Sequence, residues 1–114
     1  MNYKGIWQSK DFTPGFDIMV QGQENDSITG LLSFMGTPVR VAEIQGGMVI
    51  EGKLRIHFQE FNHPKPLSGS LVLTPSEDGS TLEGTINIGS YIDREDKPII
   101  LTKMVNAGEQ DQTS

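Results

Sequence analysis

Apolar and polar side chains alternate with period two along most of this chain. Phe16, Ile18 and Val20 are interleaved with Asp17, Met19 and Gln21, and Leu54, Ile56 and Phe58 with Lys53, Arg55, His57 and Gln59. Successive side chains of a β-strand point to opposite faces, so in each run the apolar set is read as facing a core and the polar set as facing water. Leu71 and Leu73, Ile86 and Ile88, and Ile99 and Leu101 continue the inward set. One run is two-sided: Ile28, Leu32 and Phe34 share a face, while Leu31 and Met35 lie on the other. With Met19 on the neighbouring strand, Leu31 and Met35 would leave an apolar strip on the outside, which reads either as a contact surface or as the single exposed Leu and Met side chains that are normal on a protein surface.

The pattern predicts strands over 4–9, 16–21, 27–35, 39–50 with a bend at Gly46-Gly47, 54–61, 67–74, 81–88 and 98–105. Between them stand short stretches with turn chemistry: Thr13-Pro14-Gly15, Glu24-Asn25-Asp26, Gly36-Thr37-Pro38, Glu51-Gly52-Lys53, Asn62-His63-Pro64, Glu77-Asp78-Gly79 and Asp93 to Asp96. Connections this short join antiparallel neighbours, because a parallel return needs a crossover of about a dozen residues. No stretch carries the three-and-four apolar spacing of an amphipathic helix without a Gly or Pro interrupting it.

The fold class is therefore all-β, an eight-stranded antiparallel up-and-down (meander) β-barrel of the lipocalin-like kind, with closure removing both exposed sheet edges. Gly30, Gly69 and Gly84 sit inside apolar alternations, where glycine weakens a strand unless it serves a sharp bend, and barrels need such bends. Ser27-Ile28-Thr29-Gly30-Leu31 echoes Thr81-Leu82-Glu83-Gly84-Thr85, which a shared hairpin solution explains as well as duplication does. One barrel domain is expected over 1–105, and a disordered tail over 106–114, which has almost nothing to bury.

Composition narrows the functional classes. Fifteen acidic against nine basic residues give a formal charge of −6, which repels phosphate backbones and argues against nucleic acid as a partner. No window approaches the roughly 18 apolar residues of a membrane-spanning helix, so no membrane partner is expected. The first residues enter a strand pattern at once without a signal-like apolar run, which favours a cytoplasmic home over a secreted mature form. Cysteine is absent, so core burial rather than disulfides must supply stability.

Gly5-Ile6-Trp7 in the first strand, together with Lys103 in the last, resembles a feature of the calycins, the lipocalin, fatty-acid-binding and avidin-like barrels. The resemblance implies that the Trp7 indole plugs the closed end of the barrel with Lys103 lying across it, and that the lumen receives a small ligand. The helix-free avidin-like meanders match the strand spacing best, but their biotin sites are walled by several Trp and Trp7 is the only one here, so biotin is not the expected ligand. The strand series, ending in Pro98-Ile99-Ile100-Leu101-Thr102-Lys103, is also similar to the small barrel domain that precedes hydrolase domains in some bacterial proteins, for which no activity carries over.

Specific catalytic signatures are missing: there is no phosphate loop, no cysteine-based zinc pattern and no zinc-protease helix motif. No catalytic residue and no cofactor is assigned. His57, Glu60 and His63 do not form a metal site, because 57 and 60 alternate across one strand and His63 falls in a turn. If the fourth and fifth strands pair, Arg40, Lys53, Arg55 and His57 form a basic patch, which reads as a solvated outer face or as a receiver of an anionic ligand or partner.

Two functional expectations follow. In the first, Phe16, Ile18, Leu32, Phe34, Ile56, Phe58 and Leu71 line a lumen that binds a small apolar ligand. In the second, the barrel is filled, binds no ligand, and meets another chain or a second copy through Met19, Leu31 and Met35.

Overall fold

A computed structural model describes residues 2–10, 15–35, 39–61, 64, 66–88 and 97–104. The turn residues Thr13-Pro14, Gly36-Thr37-Pro38, Asn62-His63 and Asp93 to Asp96, and the tail expected over 106–114, lie outside the described residues. Eight strands follow in chain order: β1 (Gly5–Lys10), β2 (Phe16–Glu24), β3 (Ser27–Phe34), β4 (Arg40–Ile50), β5 (Lys53–Glu60), β6 (Ser68–Pro75), β7 (Thr81–Ile88) and β8 (Lys97–Lys103). Each pairs antiparallel with its sequence neighbour, and β1 pairs with β8, so the sheet closes into an up-and-down barrel. The described residues contain no helix.

Strand β2 runs to Glu24, beyond the end read from the sequence, because a register shift between Val20 and Gly22 lets the polar residues Gly22 to Glu24 keep pairing with Ser27 to Thr29. A second bulge, between Ile44 and Gly46, produces the bend expected in β4. Beyond each bulge the facing is reset, so Gln23 and Gly47 turn inward opposite Ile28 and Ile56.

Gly30 and Gly84 explain the echo between their two segments. A Cβ at Gly30 would run into the Met19 carbonyl, and one at Gly84 into the Val72 carbonyl. Each glycine sits in the second strand of its hairpin, opposite an inward residue of the first: Val20 for Gly30 and Leu73 for Gly84. The same tight bend has been solved twice with the same residue type.

The two ends of the barrel differ. At one end the connections β2–β3 and β4–β5 are two residues long and β6–β7 is five; at the other, the four connections run from five to eight residues. The short turns depend on left-handed backbone, with Glu51 and Gly52 at φ 53° and 76° in the β4–β5 hairpin and Asn25 at 56° in β2–β3. The inward faces of all eight strands meet in one apolar core that runs from Tyr3 and Trp7 at the short-turn end to Phe16, Phe34 and Phe58 toward the other.

Candidate functional site

The short-turn end is sealed by Trp7, which is fully buried. Its indole Nε1–H donates to the Tyr3 carbonyl at 2.9 Å, and the Tyr3 N–H donates to Gln23 Oε1 at 2.7 Å, so the segment before β1 is tied across the barrel end. Trp7 stands opposite Lys103 in register, and Lys103 Nζ lies 5.6 Å from the indole ring centroid. Gly5 makes room for that arrangement: its φ of 131° disfavours any other residue, and a Cβ there would meet Lys103 Cε at 3.2 Å. Burial pushes the Tyr3 phenol pKa upward, because the phenolate would lose its hydration.

Phe16, Ile18, Leu32, Phe34, Ile56, Phe58 and Leu71 all point into the barrel and are 0–5 % exposed. Near the long-connection end Phe34 packs against Phe16 and Phe58 with ring centroids 5.4 and 5.6 Å apart. A lumen open to water would leave exposed area on the residues that line it. These seven have almost none, so among the described residues no water-accessible lumen opens on them.

Beside the Phe cluster lies an ion pair, Arg40 with Glu60, that sequence reasoning missed. Arg40 was expected on an outer basic patch. It lies on the inner face of β4 instead, directly before the buried Ala42 and Ile44, where Nε donates to Glu60 Oε2 at 2.8 Å and Nη2 pairs with Oε1. Glu60 is 6 % exposed, and its Oε1 also accepts from the Leu67 N–H at 3.0 Å. A carboxylate can face inward here because a two-pronged guanidinium and a backbone donor satisfy it.

The inward Arg40 and Glu60 turn their apolar neighbours outward. Val39, Val41 and Phe61 stand on the outer surface with Met35, at 44–55 % exposure. Val41 is opposite Ser33 and Ala42 is opposite Glu60, so Val41 and Phe61 are neighbours across β4 and the end of β5, while Met35 and Val39 continue the same face one step beyond. Of the three outer residues expected from the sequence, Met35 belongs to this rim cluster. Met19 and Leu31 are direct cross-strand partners, two rows further along β3.

The remaining members of the basic patch, Lys53, Arg55 and His57, are exposed in a line on the outer face of β5. His57 and Glu60 face opposite sides of that strand, and His63 lies outside the described residues. Next to His57 a shallow groove of about 340 Å³ is lined by Gln45, His57, Phe58, Gln59, Ser68, Gly69 and Ser70. Around the β6–β7 turn, Asp78 accepts hydrogen bonds from the Ser76 and Ser80 hydroxyls and the Ser80 N–H, which hold its carboxyl down at about pKa 2.

Comparison with known proteins gives no match to a family model, to a curated protein or to a solved structure.

Proposed function

We propose that this domain is a protein-contact module with a filled barrel, and that it engages a second copy of itself through the outer rim formed by Met35, Val39, Val41 and Phe61 and extended by Met19 and Leu31. The observation that carries this reading is the exchange of faces at the rim, where charge is drawn inside and large apolar side chains are left in water. The six side chains offer on the order of 500 Å² of apolar surface, so two copies would cover about 1,000 Å², the threshold for a specific contact. The carboxylates on this face are Glu43, directly opposite Leu31, and Asp17, opposite Ser33 and next to Met19 along β2, so the uncharged part is the Met35, Val39, Val41 and Phe61 cluster. In a chain of net charge −6, an uncharged centre is the face on which two copies repel least.

A second reading, an apolar ligand in a calycin-like barrel, is supported by the asymmetry of the ends. One holds Trp7 beside the tight turns, and the other, where the Phe cluster lies, is the end with the longer connections. A ligand would have to displace Phe16, Phe34 or Phe58 to enter.

Native mass spectrometry and sedimentation of the full chain test both. The expected result at about 100 μM, where a micromolar contact is nearly saturated, is an empty dimer that strengthens with salt. Phe61→Ser with Val41→Thr should make it monomeric without lowering its melting temperature. A wild-type chain that stays monomeric and empty overturns the dimer, and a monomer that retains a small molecule replaces it with the ligand reading.

A further inference from the structure

The line of Lys53, Arg55 and His57 lies toward the opposite end of β5 from the rim cluster, and its surroundings are unusual for an acidic chain. None of the three has an ion-pair or hydrogen-bond partner among the described residues. Their cross-strand neighbours are Ile50, Met48 and Gly46 on β4 and, beside Arg55 and His57, Val72 and Ser70 on β6. None of these five is charged, so no cross-strand neighbour neutralises Lys53 or Arg55, and the adjoining carboxylate is Glu51 in the β4–β5 turn, although the molecule as a whole carries −6. Met48 and Ile50 are themselves large and exposed, which sets apolar surface directly beside each long cationic side chain.

We infer that the outer face of β5, with the adjoining edge of β4, is a docking site for an extended acidic peptide segment of a partner protein. Side chains at alternate positions of a strand repeat about every 6.5 Å, and an extended peptide with carboxylates at alternate positions has the same repeat. Such a segment laid along β5 would set its carboxylates against Lys53 and Arg55 and within hydrogen-bonding reach of His57, with the hydrocarbon stems of the same glutamates over Met48 and Ile50. At the His57 end, the groove of about 340 Å³ supplies Gln45, Gln59, Ser68 and Ser70 as hydrogen-bond partners for peptide N–H and C=O groups. The closed barrel has no free edge here to pair with an added strand, so this contact is made by side chains. The exposed apolar flank favours a peptide over a nucleic acid, whose phosphates would also feel the repulsion of the whole chain.

The test is fluorescence anisotropy of a labelled peptide of about twelve residues, alternating Glu with Leu and Ser, titrated with the full chain. Saturable binding is expected, weakened by added salt and at least about tenfold by Arg55→Glu or Lys53→Glu at an unchanged melting temperature. If either variant fails to fold, Lys53→Gln with Arg55→Gln serves in its place. Absence of binding, equal binding by the charge-reversed variants, or tighter binding of an oligothymidylate of the same length would overturn the assignment. The Phe61→Ser, Val41→Thr variant should bind the peptide as the wild type does, which separates this site from self-association.

Discussion

Arg40 and Glu60 form a two-pronged ion pair on the inner face of the barrel, with the Glu60 carboxylate almost wholly buried. Removing one partner should cost more than removing both. Arg40 is 33 % exposed, so water offsets part of the loss, and Arg40→Met is expected to destabilise the domain by about 2–3 kcal/mol. The double variant Arg40→Met, Glu60→Leu should recover most of that. Urea unfolding of four chains, the wild type, Arg40→Met, Glu60→Leu and the double variant, measures the coupling, and additive losses would show that the pair does not act as a unit.

Trp7 carries the sealed end. Trp7→Ala should cost about 3–5 kcal/mol, because it leaves a cavity and frees the Tyr3 carbonyl from its indole donor. Lys103→Met keeps the stem and removes only the cation over the ring, so a loss of about 0.5–1 kcal/mol is expected. Equal effects of the two substitutions in thermal melts would place the indole outside the core.

Gly30→Ala and Gly84→Ala should each destabilise by about 1–3 kcal/mol, since the added methyl meets a carbonyl of the neighbouring strand and the backbone must give way. Gly46→Ala serves as the control: a Cβ there has open space around it. A denaturation midpoint lowered in the first two and nearly unchanged in the third is the expected series.

Asp78 makes the β6–β7 turn sensitive to acid. Its folded pKa of about 2 lies below the ordinary 3.8, so the ionised form favours the folded chain above about pH 4. That contribution fades as pH falls from about 4 toward 2. Asp78→Asn should therefore melt below the wild type at pH 6, with the gap narrowing at lower pH. A gap that stays constant down to pH 2 would show that the carboxylate's charge is not what the serine donors stabilise.

Most of the fold was legible because strict alternation leaves little freedom. In β2 and β5 a slip by one residue would expose Phe16, Ile18 and Val20 or Leu54, Ile56 and Phe58 together, and only one register avoids it. The bulges were harder to read. Gly22-Gln23-Glu24 looks like turn sequence, and only pairing with Ser27 to Thr29 makes it strand. At the rim the usual guide was reversed: Arg40 read as a surface residue, Glu60 fell on the inward side of the alternation without a partner to justify it, and Val39, Val41 and Phe61 read as ordinary members of strands with no assigned face. The available signal was a pairing of opposite charges at the start of one strand and the end of the next, where a hairpin brings them side by side. Alternation cannot reveal that unless the two strands are aligned first.

Closure by β1 and β8 also governs how this chain comes to be folded. Of the eight barrel strands the one bearing Trp7 is made first, yet its partner on one side is the one made last. Until then the growing sheet has two open borders and an uncovered apolar face, the state in which β-rich chains stick to one another. Loss of β8 should leave the nascent chain in that state permanently, so shortening the chain from that side is a folding lesion rather than a trim.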